Sequence, residues 1–110
     1  MPRLKLTSMY GGEYEITLRT NHYANNNNLY IGLDCWEDGF PMPYTDLTVN
    51  LYPKCEPNCA FIDINNNGVE IINWLMANKL GKLTGRMCHS GFCQYPEFEF
   101  NMEEVQKYVE

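Results

Sequence analysis

The sequence predicts an α+β fold: an antiparallel sheet packed with one main helix and a short C-terminal helix, in a single domain over residues 1–110. Three observations predict it. Apolar residues recur with period two through residues 4–52, the spacing turns helical over 69–80, and period two returns over 94–100. Glycine, asparagine and proline punctuate the runs, which sets the expectation of about five to six strands, with an N-terminal hairpin continuing into a meander.

The elements follow in order. LKLTSMY (4–10) and EYEITLRT (13–20) read as a hairpin with Gly11-Gly12 as a two-residue turn. In the second run Tyr14, Ile16 and Leu18 share one face, and Glu13, Glu15, Thr17 and Arg19 the other. Asn25 to Asn28 form a loop tip, because asparagine tolerates left-handed backbone and captures local hydrogen bonds. LYIGLDCW (29–36) points Leu29, Ile31, Leu33 and Cys35 inward, WEDGFPMP (36–43) reads as a turn-rich loop, and TDLTVNLY (45–52) as a further strand. Pro53 and Pro57 end the run, since neither can donate to a ladder, and CAFID (59–63) is one more short strand.

Val69, Ile72, Leu75, Met76 and Leu80 then fall on one helical stripe. Asn67 with Glu70 suggests a capping box at its start, and Gly81 a stop at its end. LTGRMCHSGFC (83–93) reads as loop or irregular strand, and QYPEFEF (94–100) as a strand with Phe98 and Phe100 opposite Glu97 and Glu99. Asn101 and Glu104 repeat the capping box before the terminal helix.

Charge narrows the function classes. A net charge of −6 argues against direct binding of nucleic-acid phosphates or an anionic membrane face, and fits solubility or docking onto a protein partner with a basic surface. The first twenty residues alternate instead of forming an apolar block, and no stretch is long enough to span a bilayer, so a cytoplasmic location is expected. Five cysteines without a secretory signal are expected as free thiols.

No motif carries catalysis or a cofactor. DINNNG (63–68) matches the first half of an EF-hand loop, but Trp74 stands where the bidentate carboxylate belongs, so the stretch is expected to be a turn that starts a helix. Cys55/Cys59 and Cys88/Cys93 lack the two-residue spacing of zinc knuckles, and small thiols between apolar residues pack as core. A Cys–His pair from Cys88 or Cys93 with His89 or His22 has no visible activating environment. GKLTG (81–85) lacks phosphate-loop spacing. The carboxylate pairs Glu13/Glu15 and Glu97/Glu99 are expected on wet strand faces, and Trp36 and Phe40 beside Glu37 and Asp38 on a loop that suits a basic partner. An apolar sheet face left uncovered by the helices would make a homodimer.

Four segments, YEITLRTNHYANNNNLYIGL, PYTDLTVNL, CAFIDINNNG and LGKLTGRMCHSGFCQYPEFEFN, together resemble the domain of unknown function 4313 family, small bacterial proteins carried on mobile and conjugative elements, from about Glu13 to Asn101. The family supplies no catalytic residues to transfer. What the resemblance implies is context: a non-enzymatic, acidic protein-binding module, in its sharpest form an anti-defence inhibitor that occupies the basic nucleic-acid groove of a CRISPR effector or other host defence protein. The expected contacts are Glu13, Glu15, Trp36, Glu37, Asp38, Phe40, Glu97 and Glu99. The alternative is a small accessory protein with bound metal, zinc on the cysteine pairs or calcium at Asp63.

Overall fold

A computed structural model describes residues 2–109, and among them eight strands form two four-stranded antiparallel sheets where one was expected. The first runs β1 (Leu4–Thr7), β2 (Glu13–His22), β3 (Leu29–Glu37), β4 (Phe40–Asp46) in spatial order. The second contains β5 (Thr48–Val49), β6 (Cys59–Ile62), β7 (Gly81–Ser90) and β8 (Cys93–Phe100), ordered β5-β6-β8-β7. Between β6 and β7 lie α1 (Ile64–Asn67) and α2 (Glu70–Ala77), and α3 (Met102–Gln106) follows β8.

Leu47 is the crossing point. Its N–H donates to the Ile31 carbonyl of the first sheet (2.9 Å), and its own carbonyl accepts from Asp63 N at the end of β6 (2.9 Å). The single run expected over 45–52 is thereby divided between the two sheets. Ile16, Leu18, Leu29, Ile31, Leu33 and Cys35, inward by the period, are buried and share one core with Leu47, Ile62, Leu75, Leu80, Phe98 and Val105; Tyr14 is only partly buried, and Thr17, expected on the wet face, is buried. Sequence-distant apolar faces meet there, and truncating a fully buried leucine such as Leu75 would cost about 2–5 kcal/mol.

Other local readings are corrected. The first hairpin turns through residues 8–12, with Ser8 N donating to Gly12 O (2.7 Å) and Gly11 at φ +92°. WEDGFPMP is not a loop: it is the β3–β4 hairpin, turning at Asp38 (φ 52°) and Gly39 (φ 82°). Residues 83–93, expected as loop or irregular strand, are the irregular strand: most belong to β7, whose pairing with β8 is interrupted between Leu83 and Met87, around Gly85 at φ +91°. Asn67 does not cap α2. Asp63 caps α1 instead, accepting from Asn66 N (3.1 Å) and Asn66 Nδ2 (2.7 Å), so its carboxylate serves the turn. Lys79 at φ 62° ends the α2 turn, whereas Gly81 begins β7. There an added Cβ would run into the Glu99 carbonyl oxygen and stand 2.6 Å from the Phe98 ring, so the close strand approach requires glycine.

Half of the expected C-terminal capping box forms: Asn101 accepts from Glu104 N at 3.5 Å, but its own N–H donates to Leu80 O (2.8 Å) and Glu104 instead pairs with Lys107. Beyond α3 the chain returns to the first sheet, where Leu18 N donates to Tyr108 O (2.8 Å) and Val109 pairs with Leu18. The asparagine tip is a clamp as well as a loop. Asn26 and Asn50 bond side chain to side chain (3.0 Å), and buried Asn28 donates to Pro53 O and accepts from Cys55 N.

Candidate functional site

The residues singled out in the sequence separate into two groups. Glu13, Glu15 and Trp36 lie on the outer face of the first sheet, with Glu37, Asp38 and Phe40 at the adjoining β3–β4 tip. Trp36 is half-buried on that face: its Nε1 donates to Thr17 Oγ1 (2.8 Å), and the Arg3 guanidinium lies 4.2 Å from its ring centroid. Arg3 also approaches Glu15 (3.6 Å), which offsets part of the local negative charge. Further along the face, Arg19 Nε donates to both oxygens of buried Asp34 (2.9 and 3.0 Å), and Tyr30 donates to Asp46 (2.6 Å). This polar layer stiffens the platform from which the tip projects. At the tip Phe40 is 71% exposed and Met42 52%, flanked by exposed Glu37 and Asp38.

Glu97 and Glu99 are on β8 of the other sheet, away from this group. Glu99 is exposed beside Lys82 (3.7 Å), but Glu97 is only 5% exposed, which corrects its assignment to a wet face and removes it from the contact set. It holds an interior polar cluster. Oε1 accepts from Thr84 Oγ1 (2.8 Å), and Oε2 faces Arg86 Nη2 at 3.1 Å without hydrogen-bond alignment. Burial, then the hydrogen bond to Glu97 and that carboxylate's charge, push the Cys55 thiol up to about 12. Burial followed by the charges of Glu97 and Glu99 raises Cys59 as well. Cys55 and Cys59 pack with Phe61, and partly buried Cys88 lies against them. Cys55 and Cys59 are protonated packing thiols at neutral pH. Among the described residues, no group of three or more His, Cys, Asp or Glu side chains is arranged to hold a metal ion.

A second feature escaped the sequence reading. A cleft of about 910 Å³ opens between the 8–12 loop, the start of β2, β4 and the α1–α2 junction. Tyr14 and Tyr44 form one side, with ring centroids 4.9 Å apart and planes at 48°. Burial, then the neighbouring Tyr14, raises the Tyr44 phenol despite a hydrogen bond to Ser8. Trp74 lines another side, and its Nε1 donates to Lys5 O at 2.6 Å. Met9, Val69 and Tyr10, the last 90% exposed, also line it and leave apolar surface open. No sequence signal marked it: Trp74 sits beside the apolar stripe of α2, and it packs against the core as well as lining the cleft.

Among the described residues no helix is long and apolar enough to cross a membrane. Neither the curated proteins nor the solved structures contain a match to this chain. The family model described as "Domain of unknown function (DUF4313)" matches residues 17–110. Since that match takes in all of the second sheet, all three helices and the first sheet from within β2 onward, the chain belongs to the DUF4313 family.

Proposed function

We propose that this chain is a non-enzymatic protein-binding module that engages a basic partner surface through the β3–β4 tip and the adjoining strand face. The observation that carries the reading is the tip itself. Phe40 and Met42 are held in solvent by a tight turn, beside the carboxylates of Glu37 and Asp38, on a protein of net charge −6. An exposed aromatic supplies contact area, while flanking carboxylates steer and orient a cationic partner. Glu13 extends the acidic surface; Glu15 and Trp36 contribute less, being engaged by Arg3. The narrower form of this reading is an anti-defence protein of a mobile element that covers the basic nucleic-acid groove of a host nuclease, and the acidic surface supports it.

The test is affinity capture from bacterial lysate at low and high salt, with the wild type beside a Glu37→Lys/Asp38→Lys/Phe40→Ala variant. A basic protein retained at low salt, released at high salt and lost with the variant is the expected result. Equal recovery by both proteins would sink the tip as the binding element. Competition between the captured partner's nucleic acid and this chain tests the narrower form.

A further inference from the structure

We propose that the cleft beside the α1–α2 junction binds an arginine side chain presented by a peptide segment of the partner. The idea deepens the basic-partner reading and rests on it, but assigns a second, separate point of contact. Its basis is the polarity of the lining. Trp74, Tyr14 and Tyr44 supply aromatic surface, and the indole's single donor is already engaged by Lys5 O, so Trp74 offers the cleft its ring.

The amide donors are partly engaged. Asn66 Nδ2 donates to Asp63, Asn67 Nδ2 to the carbonyls of Asp46 and Asp63, and Asn73 Nδ2 to Glu70 Oε2. Each side chain keeps its amide oxygen toward a ligand; Asn67 has spent both N–H groups, while Asn66 and Asn73 keep one each. Glu70 adds the lining's one carboxylate, and among the described lining residues there is no lysine, arginine or histidine. Aromatic faces, acceptors and a carboxylate select for a cation that donates in several directions. A guanidinium stacks on aromatic rings and donates from five N–H groups, so it suits the lining better than a compact ammonium. An anionic ligand would meet Glu70 with no cationic side chain in the lining to compensate. A volume of about 910 Å³ admits the side chain together with neighbouring peptide backbone.

The probe is a blocked Gly-Arg-Gly peptide, titrated into the 15N-labelled full chain, with the citrulline peptide as its neutral isostere. Shifts should concentrate on Tyr10, Tyr14, Gly68, Glu70 and the Trp74 indole, and be absent with citrulline. Glu70→Gln, a surface change with little bearing on folding, should weaken binding about three- to tenfold. Tyr44→Leu should do the same, with the amide spectrum reporting whether the fold is kept. Shifts that map to the hairpin tip, an equal response to citrulline, or none up to about 10 mM peptide would overturn the assignment. The peptide contains no partner protein, so such a failure leaves the tip-based reading standing on its own capture experiment. Conversely, cleft shifts alongside a negative capture experiment would keep the arginine site and remove the tip.

Discussion

Removing the Cys55 thiol should flatten the alkaline limb of the stability profile. In the fold Cys55 is held protonated by burial and by Glu97, with its pKa raised from about 9 to about 12. A group that holds its proton more tightly when folded stabilises the protein fully below the unfolded value. That contribution is lost as pH rises from 9 toward 12, because the unfolded chain releases the proton first. Between these values the loss is about 1.4 kcal/mol per pH unit, or roughly 2.7 kcal/mol by pH 11. Solvent reaches the Arg86 side of the cluster, whose side chain is 48% exposed, and screening there brings the expected loss to about 1–2 kcal/mol. The assay is urea unfolding followed by far-UV circular dichroism at pH 8 to 11 under reductant, comparing the wild type with Cys55→Ala. Tyr23, Tyr30 and Tyr44, whose phenols burial raises, steepen both curves alike and cancel in the difference. The wild type should lose about 1–2 kcal/mol more than the variant over this range. Equal slopes would mean that Glu97 and burial do not hold the proton on Cys55.

Two further outcomes test the architecture. Gly81→Ala should destabilise the chain by more than about 2 kcal/mol and lower the melting temperature by roughly 10 °C, because the new methyl group meets the Glu99 carbonyl and the Phe98 ring; an unchanged melting curve would contradict the β7–β8 register. Thiol labelling of the native protein should modify partly exposed Cys88 and Cys93, and reach buried Cys35, Cys55 and Cys59 only on unfolding, as peptide mapping by mass spectrometry would show.

Where local chemistry and tertiary context agree, the fold was legible. Alternation in β2 and β3, the existence of α2 with Ile72 and Leu75 buried, the Asp63 turn and the Asn101 cap all depend on neighbours within a few positions in the chain, whereas Val69 and Met76 of the expected stripe are exposed. The reading failed where a strand tolerates what usually ends one. Pro41 and Pro43 sit in β4, an edge strand where a missing N–H leaves no central ladder bond broken. Gly85 interrupts the alternation of β7 by a pairing irregularity, so the segment has no clean period. The division into two sheets turns on Leu47, whose apolar identity is the same whichever sheet it serves.

The candidate surfaces differ in legibility for the same reason. The tip is local: Glu37, Asp38 and Phe40 lie within four positions, and a turn alone exposes them. Glu97 shows the limit of that logic, since alternation places it opposite Phe98 but cannot reveal that Arg86, Thr84 and Cys55 cover it. The cleft is non-local, and one irregularity decides it. Leu33 pairs with Thr45, and a regular ladder would then set Tyr44 opposite Asp34, on the outer face. The register instead shifts so that Asp34 pairs with Pro43, leaving Tyr44 as the extra residue, and its ring reaches Tyr14 on the core side. A single unpaired residue therefore moves one wall of the cleft from one face of the sheet to the other. Restoring strict pairing by deleting Tyr44 would remove that wall while leaving the β3–β4 turn and its acidic tip intact, so the two surfaces are separable in the same molecule.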